Sequence, residues 1–211
     1  MRGKFLTIEG TEGVGKTTNI EFIKQWLDGN QISFVSTREP GGTPLAEEIR
    51  EVLLCNRDEK VCSKAELLMM FAGRAQHIDQ VIEPHLARGN WVLCDRFTDA
   101  TYAYQGAGRE MGSELIAQLE TVVQGSMRPD LTLILDVPVE LGLERAGKRS
   151  EPDRFELEKN DFFNRVRQAY LRMAENNPQR YKIIDASLPL DDVQQQIADN
   201  LSRFLQDNQN G

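Results

Sequence analysis

A chain of 211 residues can bury a substantial core as one domain, and 40% hydrophobic with 27% charged residues is the make-up of an ordinary globular protein. A formal net charge of −8 repels polyanions and anionic bilayers at long range, so nonspecific binding to nucleic acid or to a membrane surface is excluded as the main activity. Any anion site must gather its arginines locally. The three cysteines, Cys55, Cys62 and Cys94, form neither a disulfide framework nor a zinc pattern. "MRGKFLTIEG" shows no signal-peptide pattern, and no apolar run approaches a membrane span, so a cytoplasmic location is expected.

In chain order, "KFLTIE" (4–9) is a short apolar strand ending at Gly10. A helix is expected over 16–27, with Ile20, Ile23, Trp26 and Leu27 near one face. "ISFVS" (32–36) reads as a second strand, and "TREPGGT" (37–43) as a loop by its Pro-Gly-Gly content. "PLAEEIREVLL" (44–54) has Leu45, Ile49, Val52 and Leu53 at helical spacing, and a long helix is expected over 63–88. "WVLCD" (91–95) is a buried strand ending on an acid. A helix over 112–124, strands at 131–137 and 181–185, and a last helix over 190–205 complete the pattern. Continuous apolar strands separated by helices predict an α/β fold with a parallel sheet covered on both faces. Residues 1–211 show no repeat, low-complexity segment or linker, so one domain is expected.

Between the first strand and the first helix stands Gly10-Thr11-Glu12-Gly13-Val14-Gly15-Lys16-Thr17, followed by Thr18. It matches G-x-x-x-x-G-K-[ST] at every fixed position, in the strand-loop-helix context that the motif needs. The glycines let backbone N–H groups converge on phosphate oxygens, and the helix N-terminus adds positive potential. Lys16 is placed to reach the β- and γ-phosphates of a nucleoside triphosphate, and Thr17 to offer its hydroxyl to Mg²⁺. Glu12 puts a carboxylate inside this phosphate loop.

The loop alone does not separate a kinase from a GTP-hydrolysing switch. A guanine-reading switch needs an N-K-x-D stretch late in the chain, and the nearest text, "EKND" (158–161), does not fit. A kinase for an anionic acceptor needs a second cationic pocket and a cover. "DRFTDATYAYQGAGR" (95–109) begins at a strand end, which places Asp95 for Mg²⁺ or its water shell and Arg96 for an anion. "AGKRSEPDRF" (146–155) reads either as a solvated loop or as a lid that carries arginine to a transferring phosphoryl group. His77 and His85 fall in the helical stretch, where a structural role is expected.

Taken together, the acid-bearing glycine loop, "TREPGGT", "DRF" followed by "AYQGAGR", and "RSEPDRFE" resemble bacterial thymidylate kinase, a P-loop nucleoside monophosphate kinase family, over nearly the whole chain. The resemblance implies a P-loop NTPase fold with five parallel strands and usually a homodimer. It implies transfer of the γ-phosphoryl group of ATP to dTMP with Mg²⁺, in dTTP biosynthesis. Arg96 and Arg50 match arginines on the dTMP phosphate, Arg74 the arginine on the thymine ring, and Thr101 and Gln105 residues bounding the base. Pro40 of "TREPGGT" joins this acceptor side. Where many members stack an aromatic on the base, this chain has Met70, followed by Phe71. Arg149 matches the lid arginine, with Arg145 as its helper. Glu12 matches an acid that faces the deoxyribose 3′-hydroxyl. A kinase for another nucleoside monophosphate is the alternative.

Overall fold

The computed structural model describes residues 2–147, 154–155 and 157–209. Its five strands are β1 (Phe5–Glu9), β2 (Phe34–Arg38), β3 (Trp91–Asp95), β4 (Leu131–Asp136) and β5 (Tyr181–Asp185), in the order β2-β3-β1-β4-β5. Every neighbouring pair is parallel, so helices must cross over between strands. The helices are α1 (Lys16–Gly29), α2 (Pro44–Leu54), α3 (Ser63–His77), α4 (Glu83–Ala87), α5 (Thr98–Thr101), α6 (Glu114–Gln124), α7 (Val139–Ala146), α8 (Asn160–Asn176) and α9 (Leu190–Gln209).

Period-2 alternation sends each strand's side chains to two cores. Leu6 and Ile8 of β1 and Leu131, Leu133 and Leu135 of β4 pack with Ile23 and Leu27 of α1 and Ile197 and Leu201 of α9. On the other face Phe5, Val92 and Cys94 meet Ile82 and Leu86, and Ile134 meets Phe163 and Val166 of α8. β1, β3 and β4 are thus sandwiched, as their apolar composition predicts, while the edge strands β2 and β5 are partly exposed.

Two elements differ from expectation. β2 runs two residues later than 32–36, because its ladder to β3 pairs Phe34 with Trp91 and carries through to Arg38 opposite Asp95. The stretch 63–88 is not one α-helix: a π-helical segment, Ile78–Ile82, separates α3 from α4. Pro84 has no N–H to give the Gln80 carbonyl, and the turn ahead of it widens.

The topology places the chemistry at one edge of the sheet. β1 and β3 are neighbours with Ile8 opposite Asp95, so the glycine loop and the Asp95-Arg96 turn emerge side by side. Arg96 turns with φ 66, a left-handed conformation unusual for a residue with a side chain. Two bonds hold it there: Arg96 N donates to the Ile8 carbonyl at 3.0 Å, and Phe97 N donates to Glu9 Oε1 at 2.7 Å. Glu9 is fully buried, and Tyr170 donates its hydroxyl to Oε2 at 2.7 Å. Desolvation, with the charge of Asp99 adding to it, pushes the Glu9 carboxyl up to about 8 against the pull of those donors.

Behind the loop, α7 approaches closely. A side chain on Gly13, at φ 71, would lie 1.8 Å from the Gly142 carbonyl oxygen, and one on Gly142 would lie 2.7 Å from that of Glu12. Two backbones in contact fix how far the loop stands from the helix.

Two predictions follow from these supports. Gly142→Ala forces a methyl against main chain and Val137, so it should destabilise by roughly 1–3 kcal/mol. Thermal unfolding should show a Tm lower by about 2–4 °C per kcal/mol; an unchanged Tm would show that the helix yields freely. Glu9 keeps its proton where an unfolded chain loses it, so the folded state binds more protons between about pH 4.5 and about 8. Stability relative to Glu9→Gln, which keeps a donor and an acceptor but does not titrate, should be greatest at the low end. It should fall as pH rises through that window and level off above it. Urea unfolding of both proteins across the window reads this difference, and a flat difference would contradict it.

Candidate active site

The loop, the Asp95-Arg96 turn and helices α2, α3 and α5 enclose a cavity of about 300 Å³. Its wall includes residues 12–17 of the loop together with Pro40, Arg50, Met70, Arg74, Asp95, Arg96, Thr101 and Gln105. The sequence motifs that pointed to a donor side and an acceptor side therefore open into one space. Five cationic side chains line it, Lys16, Arg38, Arg50, Arg74 and Arg96, against the carboxylates of Glu12, Glu39 and Asp95. That surplus of two positive charges stands in a chain of net charge −8.

On the donor side Lys16 Nζ lies 3.5 Å from the Gly10 carbonyl oxygen and 3.4 Å from that of Thr11, so the ammonium folds back over its own loop. Desolvation, with Arg96 nearby, lowers its pKa, and Asp95, Glu12 and Glu9 oppose the shift. Thr17 and Thr18 at the start of α1 are exposed. The Asp95 Oδ1 atom is buried without a hydrogen-bond partner. A free hydroxyl and an unsatisfied carboxylate oxygen beside a phosphate loop fit Mg²⁺, which takes one or two protein ligands with water and substrate phosphate. Among the described residues no group of three or more His, Cys, Asp or Glu side chains is placed to hold a metal ion.

Glu12 turns away from the triphosphate side. Its Oε1 receives Arg96 Nη2 at 2.8 Å, and Tyr104 donates its hydroxyl to Oε1 at 2.9 Å and to Oε2 at 2.7 Å. The Arg96 guanidinium also lies over the Tyr104 ring, 4.6 Å from its centre. Desolvation first, then the Glu12 carboxylate against an opposing Arg96, pushes the Tyr104 phenol well above its ordinary value, so it remains a donor. The carboxylate in the phosphate loop thus orients the arginine of the neighbouring turn.

Arg74 is held from the other side. Its Nε donates to Glu39 Oε2 at 2.7 Å and its Nη2 to Thr101 Oγ1 at 2.9 Å. Glu39 Oε1 meets His77 Nδ1 at 3.0 Å, and His77 Nε2 meets Thr37 Oγ1 at 2.7 Å. His77 is fully buried in this relay, which bears out its structural role. Arg74 lines the cavity, and its Nη1 is buried with no partner among the described residues. Arg50 reaches the acceptor side with Nη1 on the Pro40 carbonyl at 2.8 Å.

Of the two residues expected against a base, Met70 lines the cavity. Phe71 is a correction: its ring is 2% exposed and packs with Leu67 and Ile116. It supports Arg74 from behind, 4.8 Å below the guanidinium. Arg145 also stands apart from the cavity lining, donating Nη1 to the Ala186 carbonyl at 2.9 Å. Arg149 lies outside the described residues, as does most of the expected lid. Arg154 and Phe155 at its end are described, and Phe155 lines the cavity. Gln105 sits on a π-helical segment, Tyr102–Gly108, and donates Nε2 to Glu66 Oε1 at 2.7 Å.

Sequence reasoning passed over Tyr104, Glu39 and Glu66. Their signal was present in "AYQGAGR", "TREPGGT" and an acid at the start of a helix. Each acts by pairing with a residue 35 or more positions away along the chain, and one-dimensional patterns do not carry such pairings.

The profile of the thymidylate kinase family matches residues 8–197. A thymidylate kinase of Teredinibacter turnerae is 58% identical over 205 residues, covering 97% of this chain and 100% of that one. Another, of Pseudomonas fluorescens, is 57% identical over 206 residues, covering 98% of each. Among solved structures, the thymidylate kinase of Ehrlichia chaffeensis matches with a TM-score of 0.75 and 32% identity, over 95% of this chain and 99% of that one. Fold, cavity and sequence agree: the chain belongs to the thymidylate kinase family.

Proposed function

We propose that this protein transfers the γ-phosphoryl group of ATP to dTMP, giving ADP and dTDP. The observation that carries the reading is the single cavity in which a complete phosphate loop faces a second set of arginines. Phosphoryl transfer has little covalent chemistry for a protein to perform, so positioning and charge dominate.

In this reading residues 10–18 cradle the triphosphate, and Lys16 balances charge that develops between the β- and γ-phosphates. Thr17 and Asp95 hold Mg²⁺, which neutralises charge on the transferring group when bound. Arg96, preset by its left-handed backbone and by Glu12, grips the dTMP phosphate together with Arg50. Arg74 presents Nη1 to the thymine, Thr101 and Gln105 bound the ring, and Met70 lies against it. Glu12 keeps acceptor capacity for a ribose hydroxyl beside the two groups it already receives. From its place in the sequence, Arg149 supplies a further cation to the transferring phosphoryl group. Three free cysteines, two of them exposed, support a reducing, cytoplasmic setting. No helix among the described residues is long and apolar enough to cross a membrane.

The acting form in this reading is a homodimer. Leu68 on α3 is 56% exposed and Val122 on α6 is 82% exposed, on two helices that pack together. Exposed apolar side chains on adjoining helices mark a surface that another copy can cover.

Two experiments test these statements. With ATP and Mg²⁺, a panel of monophosphates should show dTMP as the best acceptor, ahead of dUMP by roughly 10–200-fold, the worth of one methyl in an apolar pocket. Lys16→Ala should abolish transfer. A better rate with dCMP, AMP or GMP overturns the acceptor, and near-normal turnover of Lys16→Ala overturns the chemistry. Sedimentation should give a dimer that Leu68→Glu dissociates; a monomeric wild type contradicts the assembly.

A further inference from the structure

Glu66 lies on α3 and is fully buried. Arg154 Nη1 donates to its Oε2 at 2.7 Å, and Arg109 reaches its two oxygens with Nε and Nη2 at 3.4 Å each. Both arginines are anchored elsewhere as well, Arg154 by the Leu53 carbonyl and Arg109 by Glu158. The fourth donor is Gln105 Nε2.

A carboxylate paired with two guanidinium groups can only accept hydrogen bonds. The amide of Gln105 therefore has one admissible orientation. Turning it over would set its carbonyl oxygen against a carboxylate oxygen at hydrogen-bond distance with no proton between them, an unsatisfied buried contact. With Nε2 committed to Glu66, Oε1 is the acceptor that Gln105 offers to the cavity it lines. Across the same cavity, Arg74 has its Nε and Nη2 taken by Glu39 and Thr101, leaving Nη1 as a donor. The wall thus carries one fixed donor and one fixed acceptor. A keto pyrimidine, with a carbonyl oxygen beside a ring N–H, is complementary to that pair. An amino pyrimidine, with an NH₂ beside a ring nitrogen lone pair, opposes both.

We propose that Glu66 is a positioning residue for base specificity: it never touches the substrate, and it discriminates keto from amino pyrimidines by fixing which end of the Gln105 amide faces the cavity. The proposal rests on dTMP as the acceptor.

The probe is 5-methyl-dCMP, which keeps the methyl and the size of dTMP and changes only the hydrogen-bonding edge. Wild type should prefer dTMP in kcat/KM by about 10⁴-fold or more, as a site built to bond a ring N–H rejects its absence. Glu66→Gln can donate as well as accept, so the Gln105 amide is released, and the preference should fall at least about tenfold. Gln105→Met should lower it by itself, and adding Glu66→Gln should then change it no further. A folded Glu66→Gln that keeps the wild-type preference overturns the proposal while leaving the substrate reading intact. So does a Glu66→Gln effect that persists in the Gln105→Met background. A wild type that does not use dTMP overturns both. If Glu66→Gln does not fold, NMR of the wild type with dTMP decides. The Gln105 side-chain NH₂ should show contacts to the Glu66 methylene protons, and a coupling across the hydrogen bond should join the thymine N3–H to the Gln105 side-chain carbonyl; a coupling from that NH₂ to a thymine carbonyl overturns the proposal.

Discussion

A guanidinium taken out of water must find a carboxylate, and most of this cavity follows from that requirement. The site needs arginines for its anions, and a buried arginine is tolerable only when paired. Arg74 and Glu39 make the clearest case, with side chains 2% and 5% exposed and a 2.7 Å contact. Arg96 is paired with Glu12, and Arg154 and Arg109 share Glu66. For Arg74 and Arg96, which line the cavity, the acid takes some of the arginine's donors and leaves others for it. The carboxylates thus determine which way each cation points, and the sheet edge determines only where it starts. An acid inside a phosphate loop ceases to be a contradiction on these terms. Glu12 turns to the neighbouring strand end and holds the Arg96 guanidinium that lines the cavity.

Much of the fold was legible because its signals are local. Apolar runs at 4–9, 91–95, 131–137 and 181–185 became strands, since a parallel sheet covered on both faces favours near-continuous apolar runs. The glycine loop and Arg96 were legible because residue type, spacing and a strand-end position specify their chemistry, Arg50 and Arg74 only through the family resemblance, and residues 12–17 of the loop meet all three arginines in one cavity. β2 was misplaced by two residues because register is decided by its neighbour, not by its own apolar run. The stretch 63–88 was read as one helix because the apolar period continues through it, and the break comes from the missing donor of Pro84.

What stayed hidden has a common cause. Glu39, Glu66 and Tyr104 matter through partners brought close by the fold. Phe71 shows the same limit from the other side. Met70 and Phe71 are adjacent on α3, about 100° apart around its axis, and only the packing of α3 against α6 decides which faces inward. Composition favours the aromatic against a base, yet tertiary structure puts the thioether at the cavity wall and the ring beneath Arg74.

Helix α3 has two engaged sides. Met70 and Arg74 line the cavity while Leu68 faces out, two positions from Met70 and therefore roughly 200° around the axis. A helix of 15 residues packed between α2 and α6 turns as a unit, so both sides share one rotational degree of freedom. Whatever presses on the outer face sets the angle at which Met70 and Arg74 meet the cavity. The exposed face of α3 and the cavity wall are therefore not independent in this fold. A lineage that repacks the outer α3 face shifts Met70 and Arg74 at the same time, so substitutions on the surface reach the shape of the cavity.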